Sequence, residues 1–234
     1  MACLRIIVKY FYTWINDKEL MAVMAEESEE RISRWRTLTD ASFGLALGLS
    51  AFSLTNFPIR GLADIGMAFL LFATAFMIIL DIWHDVHRML RYPFGMSFAF
   101  LNYLLIFLVV IMPFTFRLIV ETGEVREVAA TLYPLDVAAS MAVLAVMHQS
   151  FIRYNRDKLP KEIILWGKEN RIAYLIVAVV YAASLFIPSD VRIIPFPPEL
   201  QLLQRIFLWG IAWPIAILYG AIYEKAHGIK WDSK

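Results

Sequence analysis

Three bulky apolar residues, Leu45, Leu49 and Phe52, recur at i, i+4 and i+7 in the first strongly apolar segment, with Ser42 one turn before them and Asn56 one turn after. A helical stripe that is polar, then bulky and apolar, then polar again is what a pore-lining helix with a dewetting constriction presents. The same spacing equally fits a helix whose leucines meet lipid or neighbouring helices. On another face, Gly44 and Gly48 stand four apart, continued by Ala41, Ala51 and Thr55. Small residues in this register admit a second helix backbone at close range. Asp40 opens the segment, six residues after Arg34. An ionisable residue at membrane depth is costly and marks a functional candidate. Thr39 and Asp40 also have the chemistry to cap a helix N-terminus, where a carboxylate suits the dipole.

A second polar cluster, Asp81, Trp83, His84, Asp85, His87 and Arg88, ends the next apolar segment. Asp81, His84, Asp85 and Arg88 share one helix face, open either to a metal or proton-relay role or to neutralisation of a carboxylate by Arg88. Asp136 and His148 are lone polar residues in a later segment, expected to find hydrogen bonds between helices. The single cysteine, Cys3, excludes an internal disulfide and a Cys-based zinc cluster. The sequence has no TVGYG-like run for a carbonyl selectivity filter, no repeated arginines of a voltage sensor and no Walker-type phosphate loop. Neither catalysis nor a metal or other cofactor is expected. A net charge of +1 gives no sign of a nucleic-acid partner.

Six helices are needed to position these residues. At 60% hydrophobic residues and a mean hydropathy of +0.61 the chain is oilier than an ordinary soluble domain. The excess collects in segments near the ~20 residues that a hydrocarbon core requires. Spans are expected at about 38–57, 62–83, 96–120, 128–151, 172–187 and 202–223. Pro113, Pro134 and Pro214 fall inside spans, where neighbouring helices can satisfy the freed backbone groups. Of the 22 lysines and arginines, only Arg60, Arg117, Arg126, Arg192 and Arg205 fall on the side away from the termini. The positive-inside rule therefore makes both termini cytoplasmic. The chain reads as an all-α integral membrane protein of the lipid bilayer, with six transmembrane helices per subunit. Ahead of the first span, Leu4, Ile7, Val8, Phe11, Trp14 and Ile15 share one face, as in a helix lying at the membrane surface. Arg5 and Lys9 interrupt that stretch and no small-residue cleavage site follows it, so no cleavable leader is expected. The run from Glu26 to Arg36 reads as a solvated face.

Three stretches, in order, resemble one family. Arg34-Trp35-Arg36-Thr37-Leu38-Thr39-Asp40 is similar to the Arg-x-x-x-Phe-Ser-Asp motif that opens the first helix of the transmembrane protein 175 potassium channels. Trp83 to His87-Arg88 resembles the Trp-x-x-His-His-Arg run ending that family's second helix, with Val86 at the first His position. Leu101-Asn102 and the apolar run to Pro113-Phe114 resemble its third helix. The resemblance covers about residues 31–225.

That resemblance implies a homotetramer conducting potassium and other monovalent cations, with the first helix of each subunit lining a central pore. The apolar rings that constrict it would be Leu45, Leu49 and Phe52. Arg34, Thr39 and Asp40 would pin this helix against Trp83, His87 and Asn102. Gly48 stands where the family usually carries a threonine linked to potassium preference, which implies weaker selectivity. A lone repeat of this length implies the plasma membrane of a prokaryote. The expected organisation is an N-terminal extension (1–30), a six-helix channel domain (31–225) and a short cytoplasmic tail (226–234). Two other functions compete. A secondary transporter would use helices broken at Pro134 and Pro214. An intramembrane protease would use Glu26-Glu27-x-x-x-Arg31, although that motif lies in a hydrophilic stretch before the first span.

Overall fold

A computed structural model describes residues 18–53, 62–120, 124–187 and 203–228 of the chain. The described residues form six helices: α1 (Lys18–Ser53), α2 (Leu62–Met89), α3 (Met96–Val120), α4 (Glu124–Asn155), α5 (Lys161–Ser184) and α6 (Leu203–His227). No strand occurs among the described residues. The amphipathic segment around Leu4–Ile15, and Thr55, Asn56 and Cys3, lie outside them.

Over the described residues each expected span coincides with one helix, with α5 ending at Ser184, three residues short of the expected 187, and residues 54–57 and 202 lying outside the described part. α1 begins twenty residues before the expected span at 38, so the charged run from Glu26 to Arg36 is helical. Glu, Arg, Met and Ala are strong helix formers, and Glu27 and Glu30 each precede an arginine by four residues, the favourable order. α5 likewise starts eleven residues ahead of its expected span, carrying Glu162, Lys168, Glu169 and Arg171 within the helix. Pro113, Pro134 and Pro214 all sit inside unbroken helices. Among the described residues two helical stretches, Met96–Leu118 and Ala130–Asn155, are long and apolar enough to cross a membrane.

The chain divides into two compact units, Met1–Leu38 and Thr39–Lys234. The described part of the first is the charged portion of α1, where the Thr37 hydroxyl donates to the Ser33 carbonyl at 3.0 Å. In the second, α4 packs along α3 on one side and α5 on the other, α6 packs on α5, and α2 meets α3 and α4. The core lies among these contacts and includes Ile78, Ile82, Leu105, Met112, Met141, Leu144 and Tyr181. Tyr181 of α5 stacks on Trp209 of α6 at 5.8 Å. The Trp209 indole donates to the Ser184 hydroxyl at 3.0 Å, which in turn donates to the Tyr181 carbonyl. Asn155, at the end of α4, donates to the Pro93 carbonyl at 3.1 Å and so ties the α2–α3 connection to the bundle.

Candidate functional site

The second unit opens on Thr39 and Asp40, and both are engaged. The Trp83 indole of α2 donates to Asp40 Oδ1 at 2.8 Å. His87 Nδ1, one turn on, lies 3.5 Å from the same oxygen. The two rings contact each other at 5.5 Å, so α2 presents them to the carboxylate as one surface. Thr39 is fully buried, and its hydroxyl accepts from Asn102 Nδ2 of α3 at 3.1 Å. Two adjacent residues of α1 are thus fastened to two different helices. Arg34 lies in the first unit and is exposed.

Beyond this anchor α1 has two unlike sides. Thr39, Phe43, Ala46 and Ser50 are buried, at spacings of four, three and four. The opposite side, Ala41, Gly44, Leu45, Gly48, Leu49 and Phe52, is exposed, at spacings of three, one, three, one and three. Leu45, Leu49 and Phe52 retain 55%, 41% and 61% of their accessible surface. A Cβ placed on Gly44 or Gly48 would meet nothing within 4 Å. The glycines and the bulky apolar residues therefore lie together on one exposed side of α1, opposite its buried side.

No protein-family model matches this sequence, and no curated protein does. Among solved structures, a variant of the potassium channel MtTMEM175, crystallised in complex with a nanobody–MBP fusion protein, superposes with a TM-score of 0.54. The match covers 82% of this chain and 93% of that one at 23% sequence identity. The chain has the fold of MtTMEM175.

Within this MtTMEM175-like fold the polar residues at the end of α2 divide between partners. Asp81 accepts from the Tyr174 hydroxyl of α5 at 3.0 Å. Asp85 is buried with its Oδ2 3.2 Å from Nε2 of the fully buried His148 on α4. His148 Nδ1 donates to the Leu144 carbonyl at 3.0 Å. Both ring nitrogens therefore face oxygens, although the Nε2–Oδ2 approach is not aligned as a hydrogen bond. The Arg88 guanidinium lies over the Trp166 ring at 4.3 Å. His84 is exposed, and no group of three His, Cys, Asp or Glu among the described residues is arranged to hold a metal ion. Asp136 of α4 accepts from the Thr115 hydroxyl of α3 at 3.3 Å. Val86, at the family's histidine position, is fully buried.

One acidic residue went unremarked in the sequence. Glu169, ahead of the fifth span, is 9% exposed, and its Oε2 has no hydrogen-bond partner. Burial lifts its carboxyl from the usual 4.5 to about 7, with Glu224 adding to the rise and His227 opposing it. Its only sequence signal is an acid three residues before the apolar run of α5, indistinguishable there from the solvated charges around it.

Proposed function

We propose that this chain is one subunit of a homotetrameric potassium channel in a prokaryotic plasma membrane, with α1 lining the pore. Leu45, Leu49 and Phe52 form its hydrophobic constrictions, and no carbonyl filter takes part. The observation that carries this reading is the uncovered side of α1, whose six residues lie opposite a side buried in the chain's own core. A helix anchored at Thr39–Asp40 and bare along one side is built to meet something outside its own subunit. The MtTMEM175-like fold supports water and ions as what it meets. Lipid suits the remaining surface. α3 exposes Phe100, Phe107 and Phe114 at intervals of seven, and α6 exposes Ile211, Ile215, Leu218 and Ile222. Apolar stripes of this length are not left bare in water. A transporter with broken helices loses its main support, because α4 and α6 run continuously through Pro134 and Pro214.

The test is single-channel recording of the reconstituted protein in asymmetric potassium and sodium. Leu45→Ala and Leu49→Ala are expected to widen a dewetted neck and raise unitary conductance severalfold. Leu45→Cys in a Cys3→Ser background is expected to make the current sensitive to silver, while Phe107→Cys on α3 is not. Unaltered current through both alanine variants would remove α1 from the conduction path.

A further inference from the structure

α2, α5 and α6 line an open cleft of about 790 Å³, to which no described residue of α1 contributes. Its polarity is graded. At one end lie three carboxylates, Asp81 near the end of α2, Glu169 in the first half of α5 and Glu224 near the end of α6. Along each helix away from these acids the lining becomes apolar, through Met77 and Ala73 of α2, Ala173 and Val177 of α5, and Ile217 of α6. From Glu224 back to Gly210 the α6 wall rises roughly 21 Å at helical pitch. Among the described residues no lysine, arginine or histidine lines the cleft.

The acidic end is built. Glu169 Oε2 is buried without a donor. Gly220 of α6 makes the room for this side chain, because a Cβ there would stand 2.9 Å from Glu169 Oε1. A buried acceptor without a donor is costly to maintain. Asp81 already accepts from Tyr174, which leaves Glu169 and Glu224 as the groups facing an incoming cation.

We propose that this cleft binds a primary alkylammonium ion, its NH3+ group held by Glu169 and Glu224 and its chain lying along Met77, Ala173 and Ile217. Charge complementarity selects a cation. The donorless Oε2 selects one that carries N–H bonds over a quaternary ammonium, and the apolar walls select an organic ion over a hydrated metal. Such a group can come from a soluble amine or from the headgroup of an aminolipid. The site lies outside the proposed pore face, so it stands whether or not the channel reading does.

The test uses the full chain in non-ionic detergent at pH 8 and constant potassium, with thermal stability read against concentration of hexylammonium, hexyltrimethylammonium or hexanol. Hexylammonium is expected to stabilise in a saturable manner and the other two far less. In Glu169→Gln and in Glu224→Gln the apparent affinity is expected to fall roughly tenfold, the scale of one hydrogen bond to a charged group. Equal stabilisation by hexanol would overturn the proposal, as would an undiminished hexylammonium effect in both glutamine variants. Native mass spectrometry supplies the second arm. Retention of phosphatidylethanolamine over phosphatidylcholine, lost in Glu169→Gln, identifies a lipid headgroup as the source. Indifference to the two lipids, with the hexylammonium effect intact, identifies a soluble amine.

Discussion

At the scale of single residues, the anchor of α1 rests on one buried and one half-open contact. The Thr39–Asn102 hydrogen bond is fully buried, so breaking one partner strands the other away from water. Asn102→Ala is expected to lower stability by about 1–3 kcal/mol, the cost of an unsatisfied buried polar group plus lost packing. Thr39→Val in that background is expected to add little, giving a coupling energy near 1 kcal/mol in a double-mutant cycle. Strictly additive losses would mean that the two residues act independently. Glu169 gives a pH-dependent counterpart. Its native pKa of about 7 lies above the ordinary 4.5, so between these values the folded chain holds the proton more firmly than the unfolded one. Its contribution is fully present below about pH 4.5 and is lost as pH rises through 7. The surrounding groups are Glu224, His227, Tyr219, Tyr223 and Arg171. Glu169→Gln is therefore expected to raise the melting temperature by a few degrees at pH 8 and hardly at all at pH 5. Equal shifts at both pH values would show that ionisation is not the cause. Neither feature is equally legible in sequence. Thr39, Asp40, Trp83, His87 and Asn102 belong to motifs that could be compared with a family, whereas Glu169 owes its burial to Gly220, fifty-one residues away, and no local pattern marks that.

At the scale of elements, hydropathy located the six helices because each contains an apolar run of sequence, the longest among the described residues being Met96–Leu118 and Ala130–Asn155. It did not locate where α1 and α5 begin. Their first turns are charged helices, and a charged helix has the composition of a charged loop. The side-to-side character of α1 was only half legible. Spacing separated a glycine face from a leucine and phenylalanine face, and both are uncovered because together they make one broad side opposite Phe43, Ala46 and Ser50. This matters for selectivity. From sequence, a side chain at Gly48 risked collision with a closely packed helix. Within the chain itself the space beside Gly48 is open. Gly48→Thr is thus expected to fold with little change in stability and to place a hydroxyl among Leu45, Leu49 and Phe52. By the family resemblance it should shift the reversal potential toward that of potassium in mixed potassium and sodium. A folded, conducting Gly48→Thr protein with an unchanged reversal potential would separate this position from ion selection.

At the scale of the whole molecule, the proposed channel function asks one bare helix side per chain to become a conduction path. A single α1 cannot surround a file of ions, and α2 to α6 pack on one another within the same subunit. On the proposed channel function, several copies bring their α1 sides to a common axis, and cyclic symmetry closes such a ring without leaving an unpaired face. The exposed stripes on α3 and α6 point to a different environment. The α3 stripe is rich in Phe and contains no glycine, and the α6 stripe is mostly Ile and Leu with Gly210 exposed at one end, a composition that suits acyl chains. Four copies are expected from the resemblance, so native mass spectrometry in mild detergent should give a species at four times 27.0 kDa. Cross-linking adds the geometry. In a Cys3→Ser background, Leu49→Cys is expected to form disulfides between subunits under mild oxidation, because symmetry brings position 49 of each copy near the axis. Phe107→Cys is expected to stay monomeric on a denaturing gel, since lipid separates its copies. Cross-linking through position 107 in place of position 49 would turn the assembly inside out and put α3, not α1, at the centre. A monomer that still passes ions would remove the need for a shared axis altogether.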